Sequence, residues 1–353
     1  MSSETSAAGV PLRLGVVGAG RISQVAHLPA TTKAERVRLV AVCDASPVLV
    51  AKVAERYGVR GFSDMAEFLE EDIDAVLIAT PDPSHLPLAA QAMSAGKHVL
   101  VEKPLADTLS GAEELSRRAT EAGLKLQVGA MKRHDPGIEY ARLSLPRIGP
   151  VLTAQVWYRV MSALRPPTEA TLFPKTVVDD DVGAAPNAYK ADRRRYLLNT
   201  HGAHVFDGIR YLVGELVSVR AEVAQAGQDF SWHGTGRLTA SGGLASFEIS
   251  ASVHGLWSEG FDVYGERGHL RVRSFFPFFR RASEVTVFTE HDAVGQSPSF
   301  ADTDPYERQL EAFARAVLDD GPTNPGGPDG GAAVRFIEAV RASAGQGGAE
   351  VRL

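Results

Sequence analysis

The stretch Leu14-Gly15-Val16-Val17-Gly18-Ala19-Gly20-Arg21-Ile22-Ser23 decides the fold class of this chain. An apolar run that ends in a glycine turn is typical of the first strand of a dinucleotide-binding unit, where backbone amides beyond the strand face the pyrophosphate. The strict pattern is Gly-x-Gly-x-x-Gly/Ala, and here Ser23 stands at the third small position. Ser is small enough for a helix to pack closely on the strand. The motif alone fits an ordinary strand–helix connection equally well, so the prediction of a cofactor depends on the segments that follow.

The next predicted strand ends in an acid, where such units bind the adenosine ribose. Val37–Cys43 is apolar and Asp44 follows it, a little over ~20 residues beyond the glycine turn. A carboxylate there accepts hydrogen bonds from ribose and repels a 2′-phosphate, and no Arg follows in 45–47. The sequence therefore predicts NAD, with NADP less favoured. The alternative is that Asp44 only caps the next helix, as Asp often does.

A further apolar strand, His98-Val99-Leu100-Val101-Glu102, runs into Lys103-Pro104. Parallel sheets bind ligands beyond the carboxyl ends of their strands, so Lys103 should face the same crevice as the glycine turn. An ionisable group beside a cofactor turn favours hydride transfer. The alternative is an exposed surface lysine.

Composition limits the class of protein. The chain has 353 residues, 44% hydrophobic and 23% charged, with a net charge of −6 and Cys43 as its single cysteine. These values suit two globular domains and argue against a nucleic-acid surface or a disulfide framework. No apolar run approaches the ~20 residues of a membrane span, and the first residues lack the pattern of a signal peptide. We expect a cytoplasmic protein.

Strand and helix patterns alternate up to about residue 130, and longer alternating strands follow. The first part predicts a doubly wound parallel sheet, and the second a mostly antiparallel sheet. Predicted strands lie at 12–18, 37–43, 74–80, 98–102, 124–129, 151–160, 217–224, 236–240, 245–253, 261–264, 269–273 and 284–288. Predicted helices of the second part lie at 200–213, 305–318 and 332–342. The expected domains are 1–132, for the dinucleotide, and 133–353, for substrate and oligomerisation, with helix 332–342 packing back on the first.

Two stretches of the second part show no periodicity. Residues 161–198 carry Pro166-Pro167, the acids Asp179-Asp180-Asp181 and the basic run Arg193-Arg194-Arg195, and they precede a helix with two histidines. Long loops are usually functional or disordered, so we expect a substrate-side flap, with Tyr189 and Lys190 as weaker candidates for the site. The Gly- and Pro-rich stretch 321–331 predicts a loop.

Five segments together resemble one known family: Gly18–Ile22, Val42–Asp44, Ala75–Pro81 with His85, Glu102–Pro104, and His204–Asp207. Their order and spacing are similar to those of the glucose–fructose oxidoreductase / inositol dehydrogenase / rhizopine-catabolism (Gfo/Idh/MocA) family. The resemblance implies an α/β Rossmann domain plus an α+β domain with a large, mostly antiparallel open-faced sheet, which often forms homodimers or homotetramers. It also implies NAD(P)-dependent oxidation of a sugar, glycoside or cyclitol. The implied cofactor contacts are Gly18, Gly20, Arg21, Ile22, Asp44, Thr80, Pro81, His85, Glu102 and Lys103.

The same resemblance assigns the chemistry to Lys103 and His204. Oxidation of a secondary alcohol removes the hydroxyl proton as hydride leaves carbon; a Lys can hydrogen-bond the oxygen and a His can act as the base. Without the resemblance, a His within an apolar helix would be read as a core residue. The family typically has Asp four residues before this His, whereas this chain has Thr200. His201 lies near the same helix face and is either a polar or proton-relay partner or only a helix-start residue.

The remaining candidates are substrate contacts. Arg133, in a basic segment bordering the family's cleft, is either a substrate contact or an interdomain salt bridge, and Tyr158 is a weaker candidate. The predicted substrate set is therefore Lys103, Arg133, Tyr158, Thr200, His201 and His204. His201-x-x-His204 with Asp207 lacks the further ligands of a metal site, so no metal is expected.

Three functions remain open on this basis. One is a dehydrogenase that releases NADH. Another is an NAD-dependent lyase or hydrolase that recycles the cofactor in place, and the third is a non-catalytic NAD-binding sensor.

Overall fold

The computed structural model describes residues 10–161, 164–179, 188–253 and 255–353. Within these ranges the chain forms two sheets. The strands are β1 (Leu12–Val17), β2 (Val37–Cys43), β3 (Arg60–Phe62), β4 (Ala75–Ile78), β5 (His98–Glu102), β6 (Leu126–Gly129), β7 (Val151–Met161), β8 (Leu216–Ala226), β9 (Asp229–Leu238), β10 (Leu244–Val253), β11 (Ser258–Gly265), β12 (Gly268–Ser274), β13 (Glu284–Thr289), β14 (Val294–Gln296) and β15 (Val351–Arg352). The helices are α1 (Leu28–Thr31), α2 (Pro47–Tyr57), α3 (Met65–Leu69), α4 (His85–Ser94), α5 (Leu109–Glu121), α6 (Pro136–Ser144), α7 (Arg165–Leu172), α8 (Arg193–Leu212), α9 (Pro305–Leu318) and α10 (Gly327–Gly345).

The first sheet is parallel, in the order β3-β2-β1-β4-β5-β6, with β1 pairing β2 and β4 on its two sides. Its strands are apolar at consecutive positions because helices cover both faces. Leu14 and Val16 belong to one buried cluster, whereas Val17 belongs to the cluster on the opposite face. The doubly wound prediction is confirmed.

The second sheet has the order β14-β13-β12-β11-β7-β10-β9-β8-β15. All its pairs are antiparallel except β10 with β7, so the predicted mostly antiparallel sheet is also confirmed. The long helix α8 packs on one face of this sheet. Phe206 of α8 stacks on Phe336 of α10, with ring centroids 4.0 Å apart, and meets Phe247 of β10 edge-on at 5.2 Å.

Two helices from the end of the chain return to the first sheet, on opposite faces. Leu310 and Phe313 of α9 pack in the cluster that contains Leu14, and Val334 of α10 packs with the cluster of α4 and α5. Helix α10 also contacts α8 and β8 of the second sheet. The division at residue 132 stays a prediction, because these helices pack with both halves.

Three predicted boundaries were wrong. Helix α8 begins at Arg193 rather than Thr200, because Asp192 caps it by accepting from the Arg195 amide at 3.0 Å. The predicted loop 321–331 ends at residue 326, since α10 begins at Gly327; a Cβ on its Gly330 would lie 2.9 Å from Leu105 carbons, so close packing explains that glycine. The predicted strand 236–240 is part of β9, Asp229–Leu238.

Among the described residues, none of the helices combines the length and the apolar composition that crossing a membrane requires.

Candidate active site and cofactor cavity

A cavity of about 840 Å³ opens at the carboxyl ends of β1, β2 and β4. Six of the ten predicted cofactor residues line it: Gly18, Gly20, Arg21, Asp44, Thr80 and Pro81. Three strand ends of a parallel sheet therefore meet at one opening, as the topology requires.

The glycine turn leaves space in this cavity. Gly18 has φ +96°, and a Cβ there would lie 2.5 Å from the Ala79 carbonyl oxygen, so this position requires glycine. A Cβ on Gly20 would meet nothing within 4 Å, which leaves the backbone open to a ligand. Ser23, at the third small position, donates its hydroxyl to the Gly18 carbonyl at 2.5 Å and closes the turn. The cavity and the turn fit a dinucleotide.

Asp44 belongs to the cavity wall and does not cap the next helix. Its carboxylate accepts from the Ala19 amide at 2.7 Å and from the Ser46 amide at 2.9 Å. The cap of α2 is Ser46, whose hydroxyl accepts from the Leu49 amide at 3.0 Å. Asp44 therefore ties the end of β2 to the glycine turn and places a negative charge where the ribose is expected.

Four predicted cofactor residues, Ile22, His85, Glu102 and Lys103, are not among the described residues of this wall. Glu102 is buried; it accepts from His27 Nε2 at 2.9 Å and from the Lys103 amide at 3.0 Å. Burial raises the pKa of Glu102, but the His27 hydrogen bond and the Lys103 charge outweigh it and hold that pKa below its ordinary value. The His85 ring nitrogens lie 2.7 Å from the Pro104 carbonyl and 3.0 Å from the Thr80 carbonyl. Glu102 and His85 thus fix the strand end that carries Lys103.

Lys103 reaches α8 of the second half of the chain. Its Nζ lies 3.4 Å from the Thr200 carbonyl oxygen, one residue before His201. Burial, followed by the charge of Lys103, holds the pKa values of His201 and His204 well below the ordinary range. Both rings are therefore neutral near pH 7, and a neutral imidazole can accept a proton.

Tyr158 joins the two histidines. Its ring lies 5.5 Å from that of His201 and stacks on His204 at 5.6 Å with 15° between the planes. Trp257 meets it edge-on at 5.0 Å, and Lys132 Nζ lies 4.9 Å from its centroid. The structure thus brings together Lys103, Tyr158, Thr200, His201 and His204 from three distant segments of the sequence.

Lys132, Glu259 and Trp257 are neighbours of the site that sequence reasoning missed. Lys132 forms an ion pair with buried Glu259, whose pKa is raised by burial against the opposing charge of Lys132. Lys132 adjoins Arg133, and no pattern in that basic segment distinguishes the two. Glu259 and Trp257 come from the β11 region, and no sequence signal connects them with β7.

Of its two predicted alternatives, Arg133 forms a salt bridge, with partners in α8 and α10; that this bridge joins two domains stays a prediction, like the division at residue 132. The guanidinium is buried and donates to Asp207 at 2.7–3.1 Å, to Asn324 at 3.1 Å and to Asp329 at 3.1 Å. Asp207 is thereby committed to Arg133.

Tyr189 and Lys190 lie just before α8. The Lys190 Nζ is 5.8 Å from the Tyr189 ring and 5.6 Å from the Tyr196 ring. Burial lowers the pKa of Lys190, and the negative charge of Asp82 opposes this shift. Burial and then Asp82 raise the pKa of Tyr189, so both side chains lie near the Asp82 carboxylate, which follows β4.

Two family models match the chain. Residues 12–130 match the NAD-binding Rossmann fold of the Gfo/Idh/MocA oxidoreductase family, and residues 197–353 match the C-terminal alpha/beta domain of the same family. The chain is 30% identical to inositol 2-dehydrogenase 2 of Saccharopolyspora erythraea over 328 residues, 86% of this chain and 85% of that enzyme.

Other relatives show how broad the likeness is. The chain is 29% identical to 4-carboxy-2-hydroxymuconate-6-semialdehyde dehydrogenase of a Sphingobium strain over 212 residues, 60% of this chain and 62% of that enzyme's length. The structure of levoglucosan dehydrogenase in complex with NADH and levoglucosan superposes with a TM-score of 0.80 at 22% identity, covering 97% of this chain and 99% of the other. That last likeness concerns the fold.

Proposed function

This chain belongs to the Gfo/Idh/MocA family of oxidoreductases, and on that premise we propose that it is an NAD-dependent dehydrogenase of a sugar, glycoside or cyclitol. It oxidises a secondary hydroxyl or reduces the corresponding ketone. The observation that carries the proposal is the position of Lys103 Nζ, 3.4 Å from the Thr200 carbonyl on the helical turn that bears His201 and His204. This contact supports the proposal that a cation and a neutral base act together beside the cofactor crevice.

Lys103 and His204 have separate roles in the proposed alcohol oxidation. A nicotinamide bound in the cavity would supply the hydride acceptor for this oxidation. The Lys103 ammonium donates a hydrogen bond to the substrate oxygen and stabilises the negative charge that develops there. His204 Nε2 or Nδ1 takes the hydroxyl proton, because its lowered pKa keeps it unprotonated near neutral pH.

His204 is the stronger candidate for the base, and His201 for its partner. His204 keeps some exposure and stacks on Tyr158, whereas His201 is buried at 6% exposure. Thr200 stands where the family has an acid, so the usual carboxylate one turn before the base is replaced by a hydroxyl. Tyr158 sets the angle of both rings.

Asp44 supports NAD over NADP. Its carboxylate is held in the cavity wall by two amides, so it cannot turn away from a 2′-phosphate without losing both bonds. Calorimetric titration with NAD and NADP tests this preference. Equal affinity, or tighter NADP, contradicts the role given to Asp44.

A homo-oligomer through the second sheet is also part of the proposal. Leu244 of β10 and Tyr264 of β11 both register with Thr153 of β7, and both are exposed apolar side chains. Light scattering after size-exclusion chromatography gives the mass. A monomer at micromolar concentration contradicts the proposed homo-oligomer and leaves the proposed activity untouched.

The decisive experiment is a screen for NAD reduction over sugars, glycosides and inositols, with product mass measured in parallel. On the best substrate, Lys103→Ala should lower kcat by about 10²–10⁴ while NADH binding remains measurable. The control is Lys52→Ala, an exposed lysine of α2. A Lys103→Ala variant with more than a tenth of the wild-type kcat, roughly a 1.4 kcal/mol effect, contradicts the assignment.

The same screen separates the two other functions. Product without accumulation of NADH indicates a lyase or hydrolase that recycles its cofactor. NAD binding without any product across the panel indicates a sensor.

A further inference from the structure

The segment 164–179, here called the strap, leaves the second half of the chain after β7 and crosses the cofactor cavity of the first half. Its residues Val177, Val178 and Asp179 line the same cavity as Gly20 and Asp44. The strap contains α7 and lies within the stretch where the sequence predicts a substrate-side flap. Its last three residues therefore belong to the wall of the cofactor cavity, while Arg165 at its start is close enough to lower the pKa values of His201 and His204, after burial and the charge of Lys103.

One buried side chain clamps the strap to the glycine turn. The Gln24 amide nitrogen donates to the Ala19 carbonyl at 2.8 Å and to the Val177 carbonyl at 2.9 Å. Its amide oxygen accepts from the Val177 backbone N–H at 2.8 Å. Gln24 is 6% exposed, so these bonds are shielded from water. Because both polar ends of Gln24 are used, the strap has one register on the turn.

Charged side chains hold the strap before this clamp. Glu169, 3% exposed, accepts from Arg165 Nε at 2.7 Å and forms an ion pair with Arg21 of the glycine turn. The Arg56 guanidinium donates to the Lys175 carbonyl at 2.8 Å. Two arginines of the first half thus hold the strap, and Arg21 also lines the cavity.

The strap ends by bringing a second acid to the start of α2. The Ser46 hydroxyl, which caps α2, donates to the Asp179 carboxylate. The N-terminus of a helix attracts anions through its free N–H groups and its dipole. In this chain that position already faces Asp179, and Asp44 lies two residues before Ser46. A phosphate on the ribose would therefore meet two carboxylates from two halves of the chain.

We propose that Asp179 is a second cofactor-selecting residue, which the strap delivers to the adenosine end of the cavity to exclude NADP. This inference rests on the proposed NAD preference and deepens it. Asp44 supplies the hydrogen-bond acceptor for the ribose from within the dinucleotide domain. Asp179 comes from the strap, outside that domain, and would repel a 2′-phosphate at the N-terminus of α2, which would otherwise attract it.

The test compares dissociation constants for NAD and NADP, measured by calorimetry at low and high salt. The variants are Asp179→Asn, Asp44→Asn and the double variant, and the matched control is Glu55→Gln, an exposed acid on α2 outside the cavity wall. Asp179→Asn should tighten NADP by about tenfold, because it removes one like charge from a partly solvated site. NAD should change by less than about twofold, and the gain for NADP should shrink at high salt.

A second variant tests whether the strap must be docked. Gln24→Ala removes the clamp but keeps the side chains of Asp44 and Asp179. The ratio of the dissociation constants for NADP and NAD should become smaller, because the strap no longer holds Asp179 in the cavity wall. Tryptic cleavage after Lys175 should become faster, because the strap is no longer held on the glycine turn. Bound NAD should slow that cleavage in the wild type, because the strap forms part of the occupied cavity.

The outcomes separate the two levels of the proposal. If the wild type binds NADP as tightly as NAD, the role of Asp44 in the proposed function fails. In a second outcome, the wild type prefers NAD but Asp179→Asn does not change the ratio of the dissociation constants for NAD and NADP. That result overturns the strap proposal and leaves the role of Asp44 intact. Unchanged selectivity in Gln24→Ala with faster cleavage also overturns it.

Discussion

Replacing Arg133 by Met tests whether this arginine stabilises the fold, by joining the segment after β6 to α8 and α10, or binds substrate. Its side chain is 7% exposed and that of Asp207 is 8% exposed, and three N–H···O contacts of 2.7–3.1 Å join them. Removing one partner of a buried pair leaves a buried charge without compensation, which costs about 3–5 kcal/mol. The Tyr211 ring, 4.9 Å from the guanidinium, adds about 0.5–1 kcal/mol.

The double variant Arg133→Met/Asp207→Leu should cost less than either single change, because neither charge remains in the interior. The resulting cycle should therefore give a coupling energy larger than the cost of either single change, at least about 3 kcal/mol. Urea unfolding followed by tryptophan fluorescence measures it. Arg142→Met is the matched control, since Arg142 faces the same ring from an exposed position and should change stability by less than about 0.5 kcal/mol.

The KM of the Arg133→Met variant distinguishes a structural role from a substrate contact. If Arg133 is structural, KM of the folded Arg133→Met variant should stay near the wild-type value. A loss of stability below about 1 kcal/mol together with a tenfold rise in KM would refute the salt-bridge role and restore the substrate contact.

Three further predictions follow from local geometry. Gly18→Ala should abolish measurable NAD binding in a titration, because its Cβ would lie 2.5 Å from the Ala79 carbonyl at a φ of +96°; unchanged affinity would contradict the role of this turn. Burial lowers the pKa of His134 to about 4, below its unfolded value of about 6.5. The stability that neutral His134 contributes is therefore complete above pH 6.5 and falls by about 2 kcal/mol between pH 6.5 and 5, because the unfolded chain takes up the proton first. The urea midpoints of the wild type and of His134→Gln, measured against pH, should converge as the pH falls. Thr200→Asp should raise the pKa of His204, since a carboxylate one turn away favours imidazolium, so the acid limb of kcat against pH should move to higher pH; an unmoved limb would exclude His204 as the base.

The strands of the first sheet could be predicted from sequence because their signal is local. Buried parallel strands are continuous apolar runs, and Gly18 and Asp44 mark the ends of two of them. The start of α8 could not be predicted, because its first turns are Arg-rich and polar and only the Asp192 cap marks them. The glycines at the start of α10 indicated a loop, whereas the reason for Gly330 is contact with Leu105, a residue more than two hundred positions earlier.

The sequence by itself determined the class of the two sheets and the glycine turn after β1, whereas the chemistry of Lys103 and His204 came from the family resemblance and stays a prediction. Only the tertiary structure decided that Arg133 meets Asp207, that Tyr158 stacks on His204 and that the strap places Asp179 at Ser46. Periodicity and turn residues report the burial and backbone of a short window. The partners of buried charges depend instead on long-range packing. An unpaired buried charge costs about 3–5 kcal/mol wherever it lies, and only the folded chain brings a particular opposite charge within reach.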